Sequence, residues 1–178
     1  MIAFGPIPSR RLGLSLGINN IVSHKVCSYS CVYCQIGITA NRSIVRESFY
    51  KPEKIVTHVE SHLKKLDSDH IPEYLTFVAN GEPTLDINLC REIKLLKKFG
   101  IPIAIITNAS LIHDKQVQDD LMEADWVSVK VDATDNMVWH KINRPYAGTD
   151  FEKICEGLNI FSSVYKGKLH TETMLVNG

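Results

Sequence analysis

From residue 14 onward, short apolar runs alternate with longer stretches in which apolar residues return every three or four positions. Leu14, Leu16 and Ile18 alternate with Ser15 and Gly17, which predicts a first strand running on towards Val22, with a cysteine-rich loop after it. Pro52 is placed to open a helix whose apolar face is Ile55, Val59, Leu63 and Leu66. Residues 74–79 read as a buried second strand, stopped by Asn80-Gly81-Glu82-Pro83. Leu85, Leu89, Ile93 and Leu96 mark a second helix, with Lys97 and Lys98 in its last turn and Gly100 beyond it. Residues 103–106, 126–131 and 171–176 supply strands three to five. A helix capped near Asp114 carries Val117 and Leu121, and the longest, capped by Asp150, lines up Phe151, Ile154, Leu158, Phe161 and Tyr165.

Strands alternating with helices predict an α/β domain over residues 1–178 with a parallel sheet. In such sheets functional groups gather on the loops after the carboxyl ends of the strands. Four polar signals fall there: the cysteine loop, residues 80–84, Thr107-Asn108, and Lys130 to Asp132.

Composition changes this picture little. The 178 residues are 44% hydrophobic, enough for a buried core, and twenty basic residues balance twenty acidic ones. No global field draws the chain to nucleic acid or an anionic membrane. No signal-peptide pattern opens the sequence and no apolar run approaches the roughly 20 residues of a membrane span, so a soluble cytoplasmic protein is expected. Five cysteines, three of them within eight residues, suit metal ligation in a reducing compartment better than a disulfide framework.

Cys27, Cys31 and Cys34 have the spacing C-x3-C-x2-C, in which a short loop turns three sulfurs toward one centre. Thiolates favour soft metals and iron-sulfur clusters. Three ligands leave one iron of a four-iron cluster open, because Cys90 and Cys155 read as buried helix residues. A zinc site completed by His24 is the alternative, although zinc sites usually carry a second cysteine pair that is missing here.

The motif, with Tyr33 before its last cysteine, resembles the signature of the radical S-adenosylmethionine (SAM) superfamily. The resemblance implies a partial (βα)6 barrel holding a [4Fe-4S] cluster on the three cysteines. It implies that the open iron takes the amino and carboxylate groups of SAM, whose reductive cleavage gives a 5′-deoxyadenosyl radical that abstracts hydrogen from substrate. An electron donor such as flavodoxin or ferredoxin is expected as partner. Asn80-Gly81-Glu82-Pro83 resembles the family's G-G-E-P motif, with Asn for the first glycine, and implies contact with the SAM amino group. Thr107-Asn108-Ala109 is similar to its T-N-G segment. Ser128, Lys130 and Asp132 match positions facing the cofactor's carboxylate and ribose, and alternation puts them on one face. Lys130 needs a partner, which is either SAM or Asp132. Asn143-Arg144-Pro145 resembles a further family element, or is an exposed loop ending a helix.

The segment from Phe4 to Gly13, with Gly17-Ile18-Asn19, resembles iron-sulfur oxidoreductases related to the tRNA wyosine-forming synthases; with no cysteine before Cys27, a second cluster is not expected. Arg10 and Arg11 suit a phosphate, but their place before strand one assigns them to the fold unless the segment folds over the top. Substrate RNA, a partner protein receiving a glycyl radical, and a non-catalytic iron-sulfur module remain open. Only five of the family's six strands are legible, so the carboxyl-terminal end of the core is expected to be missing. The open sheet edge is then expected to pair with a second copy or a partner chain.

Overall fold

The structure, a computed structural model, describes residues 1–22 and 24–176, so the last two residues of the expected domain lie outside it. The chain enters as β1 (Ala3–Ser9) and turns back as β2 (Gly13–Ile18). The cysteine segment follows, with two short strands, β3 (Val26–Cys27) and β4 (Asn41–Arg42). Then come α1 (Pro52–Leu63), β5 (Tyr74–Phe77), α2 (Leu89–Leu96), β6 (Ile103–Thr107) and α3 (Lys115–Leu121). The chain ends with β7 (Trp126–Lys130), α4 (Asn136–Asn143), α5 (Phe151–Val164) and β8 (Lys168–Glu172).

The main sheet has the order β1-β2-β5-β6-β7-β8, and every pairing is parallel except that of β1 with β2. The five expected parallel strands are present, in an open sheet rather than a closed barrel. A further strand, β1, extends the sheet in antiparallel fashion at the amino-terminal edge, where Pro6 and Pro8 and the scarcity of alternation hid it from the sequence.

One face of the sheet carries Leu16, Ile18, Leu75, Phe77, Ile103, Ile105, Val127 and Val129, all buried. The helices cover it with Ile55, Val59, Leu89, Ile93, Leu96, Leu121, Ile154 and Phe161. The opposite, inner face is smaller and more polar: Ser15 and Thr76 hydroxyls meet at 2.6 Å, and Ala104, Trp126 and Ser128 are buried beside them. Helices therefore fill one side and leave the other as the lumen of a partial barrel.

Several boundaries shift from the sequence expectation. β2 stops at Ile18, because the side chain of Asn19 accepts from the Ile21 amide at 3.2 Å and turns the chain. Leu66 lies beyond α1, and Leu85 belongs to a single 3-10 turn over Pro83–Leu85. β8 begins three residues earlier than expected, where Lys168 pairs with Trp126. Its exposed edge mixes lysine, histidine and threonine, whereas Met174, Leu175 and Val176, which suggested a strand, lie exposed beyond it. Helix α4 was not legible: only Trp139 and Asn143 of its eight residues are buried, so it carries no clear apolar stripe. Its one local signal is Asp135, whose carboxylate accepts from the Val138 amide at 2.9 Å. Cys90 and Cys155 are half-buried, not fully buried, at the margins of α2 and α5. Among the described residues no helix is long and apolar enough to cross a membrane.

Helix α5 approaches the chain before α3 so closely that a Cβ on Gly157 would lie 2.7 Å from the backbone of His113. Backbone cannot yield as a side-chain tip can, so overpacking outweighs the better helix propensity of alanine. Gly157→Ala is expected to destabilise the fold by about 1–3 kcal/mol, read as a lower urea midpoint at unchanged m-value.

Candidate iron-sulfur and cofactor site

The cysteine loop is fastened at the carboxyl end of the sheet by backbone contacts. Asn80 accepts from the Val26 amide at 3.2 Å, and Val26 accepts from the Glu82 amide at 3.1 Å, so β3 runs beside the exit of β5. Gly81 makes this pairing possible. Its φ is +141°, and a Cβ there would lie 1.7 Å from the Val26 carbonyl oxygen. Farther along, Ser30 and Val32 donate to Asn143 and Ile142 at the end of α4, and Tyr146 donates to Ser28. Tyr29 packs edge-on against Trp139 at 5.7 Å and receives its indole N–H at 3.3 Å. The unanticipated helix α4 is thus the wall behind the loop.

All five cysteines are free thiols. Each of the three motif sulfurs has its own protein donor. The Asn108 amide lies 3.4 Å from Cys27 Sγ, the Asn143 amide 3.4 Å from Cys31 Sγ, and Lys25 Nζ 3.1 Å from Cys34 Sγ. Burial pushes the Cys27 thiol up to about 12, with Glu82 adding to it, and burial also raises Cys31. Such thiols ionise only against a compensating positive centre. Among the described residues no three His, Cys, Asp or Glu side chains group so as to hold a single metal ion, so the zinc alternative through His24 finds no such grouping. A four-iron cluster asks for a different arrangement, since each thiolate binds its own iron. Free thiols on one loop, with amide and ammonium donors at the sulfurs, suit that group.

Within residues 80–83 the acidic side chain is engaged by the protein itself. Glu82 is 1% exposed, and its carboxylate accepts from the Thr84 amide and hydroxyl, the Thr107 hydroxyl and the Asn108 amide. Burial raises its pKa while these four donors pull it down. Glu82 latches the β5 exit to the β6 exit, and so sets Asn108 against Cys27. Pro83 is buried as well, leaving the backbone around Asn80 and Gly81 toward the mouth. A hollow of about 390 Å³ opens beside Asn80, lined also by Phe4, Ile36 and Val78.

On the other side, Tyr33 donates its hydroxyl to Asp132, which also accepts from the Asn143 amide at 2.7 Å. Lys130 does not pair with Asp132, its expected protein partner. It lies 5.3 Å over the Tyr33 ring and 3.4 Å from Glu172 on β8. Ser128 donates to the same Glu172 at 2.5 Å, so Ser128 and Lys130 do share the inner face, while Asp132 lies past the strand end. Asn143 is 2% exposed, which corrects the reading of residues 143–145 as an exposed loop; Arg144 is exposed.

Sequence reasoning missed Asn20 and Glu172, and named Asn19 and Asn143 only within segments that resemble the family, without a role at the site. Asn19 accepts from the Asn80 amide at 2.7 Å, and Asn20 donates to the Pro83 carbonyl at 3.2 Å. Two adjacent amides at a strand end were the available signal. For Glu172 the signal was a carboxylate in a sequence read as an edge strand.

Two predictions follow from this geometry. Gly81→Ala is expected to abolish cluster assembly, seen as loss of bound iron and sulfide after anaerobic reconstitution, because β3 cannot pair past a Cβ. The second concerns Glu92, fully buried beneath the same loop with Asn20 and Asp86. Burial and the Asp86 charge push it up to about 9 from an ordinary 4.5, so the folded chain holds a proton that the unfolded chain releases. Its contribution is full below about 4.5 and declines as pH rises to about 9. Glu92→Gln, which keeps the donor to Asp86, is expected to raise stability at pH 8 by about 1–3 kcal/mol and to flatten the decline, measured by urea titrations across pH.

Comparison with known proteins agrees with this geometry. A family model described as the radical SAM superfamily matches residues 21–178. A UPF0026 protein of Methanocaldococcus jannaschii is 55% identical over 98% of the chain and 54% of its own length. The chain therefore spans about half the length of that relative. Among solved structures, TYW1 with a lysine-pyruvate adduct bound superposes with a TM-score of 0.65 at 18% identity, covering 94% of this chain and 58% of TYW1. Native anSMEcpe with bound AdoMet gives 0.63 at 21% identity, covering 88% and 42%. At such identities these two speak for the fold alone. With the family model over most of its length and the cysteine loop fixed at the carboxyl end of its parallel sheet, the chain belongs to the radical SAM superfamily, whose members use a [4Fe-4S] cluster and S-adenosylmethionine.

Proposed function

We propose that Cys27, Cys31 and Cys34 hold a [4Fe-4S] cluster and that SAM binds over its open iron, between residues 80–83 on one side and 128–132 on the other. The supporting observation is that β3, pinned by Gly81, delivers three free thiols to the carboxyl end of the sheet beside the β5, β6 and β7 exits. The bound cluster supplies the electron that splits SAM, and with it the radical that takes a hydrogen atom from substrate.

The remaining work falls to the chain. The Asn80-Gly81 backbone meets the amino end of SAM, and Asn108, held by Glu82, stands between that loop and Cys27. Tyr33, fixed by Asp132, presents a ring beside the last ligand, Cys34. Lys130 and Ser128 offer a cation and a hydroxyl to an anionic group, with Glu172 as their present partner. Donors to all three sulfurs stabilise the thiolates and raise the ease of reduction. A small electron carrier of the flavodoxin or ferredoxin kind is the proposed reductant. An RNA substrate for the whole protein is proposed from the resemblance of the segment Phe4 to Gly13 to oxidoreductases related to the tRNA wyosine-forming synthases.

Reconstituted, reduced protein is expected to convert SAM to 5′-deoxyadenosine, detected by chromatography. Cys31→Ser is expected to lose both bound iron and product. An intact four-iron cluster that leaves SAM whole would overturn the enzymatic reading and leave an iron-sulfur binding module.

A further inference from the structure

The turn between β1 and β2 sits at the amino end of β2, yet it does not stay there. Leu12 is buried on the inner face against Ala104 and Trp126, so the turn folds under the lumen. Arg11 then extends inward until its guanidinium meets Glu172 at 2.5 Å, near the carboxyl end of β8. By this contact Arg11 reaches the inner face of the sheet, which its place before the first parallel strand did not suggest.

Arg10, Arg11, Lys130, Thr171, Glu172 and Thr173 border a cleft of about 560 Å³. Three cations face a single carboxylate, an excess of two positive charges in a chain whose overall charge is zero. Burial works against the Glu172 charge, but Ser128, Arg11 and Lys130 outweigh it and hold the carboxyl below its usual range. Glu172 therefore occupies, as an anion, a position that two cations and a hydroxyl converge on. Arg11 keeps 43% of its side chain exposed and Arg10 is exposed, so both retain donors for a second acceptor. Guanidinium forks match the oxygens of a phosphate, and a dianion balances the excess charge.

We infer that this cleft binds a phosphate group of the substrate, through Arg10 and Arg11, at the lumen side of the radical site and next to Lys130, which faces the proposed SAM site. The inference deepens the function proposed above and rests on it for the word substrate, but not for binding itself. Lys130 lies over Tyr33 of the cysteine loop, so a phosphate held there places the rest of its molecule at the mouth where the radical forms. Glu172 acts as the competing anion that keeps the cleft ordered until phosphate arrives.

Isothermal titration of the reconstituted protein with inorganic phosphate tests this, with a short single-stranded RNA as a second arm. Saturable phosphate binding is expected, weakened roughly tenfold or more in Arg10→Ala and in Arg11→Ala, and tightened in Glu172→Gln. Arg11→Lys, which keeps the charge but not the fork, is expected to fall between. Unchanged thermal melting of Arg10→Ala, which has no ion pair to lose among the described residues, separates binding from folding. RNA binding far tighter than phosphate, with the same dependence on Arg10 and Arg11, identifies a polynucleotide substrate; phosphate binding without RNA binding identifies a small phosphorylated one. No saturable binding of either probe, or binding indifferent to both arginines, overturns the inference. The titration uses no SAM and no turnover, so a failed cleavage assay and a failed titration are separate results.

Discussion

The contact between Val26 and Gly81 organises the rest of the site. A loop of nine residues carrying three thiols has no reason of its own to stand at one end of a sheet. Two hydrogen bonds between β3 and the β5 exit put it there, and they require the backbones to approach to a distance that leaves no room for a Cβ. From that fixed point Cys27 reaches Asn108, Cys31 reaches Asn143, and Tyr33 reaches Asp132. A glycine at one turn thus decides whether three strand exits and one helix act on the same centre.

The buried carboxylates around this contact divide their labour by their partners. Glu82 is enclosed and fully engaged by donors from two loops, so it stays in place and transmits position rather than charge. Glu92 lies deeper and meets another acid, so it is held neutral. Glu172 faces the lumen among cations, and it remains charged and exchangeable. Three acids of one type acquire three roles because Glu82 and Glu92 are fully buried while Glu172 is only partly so, and because their neighbours differ.

The lumen shows how a hairpin of fold-building residues comes to border a cleft on the inner face of the sheet. Leu12 anchors the turn by burial, and the arginine beside it, being long, is carried across the inner face. The position of a residue along the chain, even before the first parallel strand, therefore says little about the end of the barrel that its side chain serves.

The sequence alone determined the five parallel strands, four of the five helices and the loop that carries three closely spaced thiols. Those features are written in periodicity and spacing, which are local and survive without knowledge of neighbours. It also pointed to residues 80–83, Thr107-Asn108 and 128–132, because strand exits can be counted. Only the tertiary structure decided what these residues do. Glu82 turned inward because four donors from two separate loops surround it, and Lys130 paired with Glu172 rather than Asp132 because β8 lies beside β7. Helix α4 and strand β1 escaped notice since their burial comes from one face of irregular composition. Arg11 could be placed at the cleft only once the hairpin was seen to fold beneath the sheet, since a contact 161 residues apart in the chain leaves no local trace.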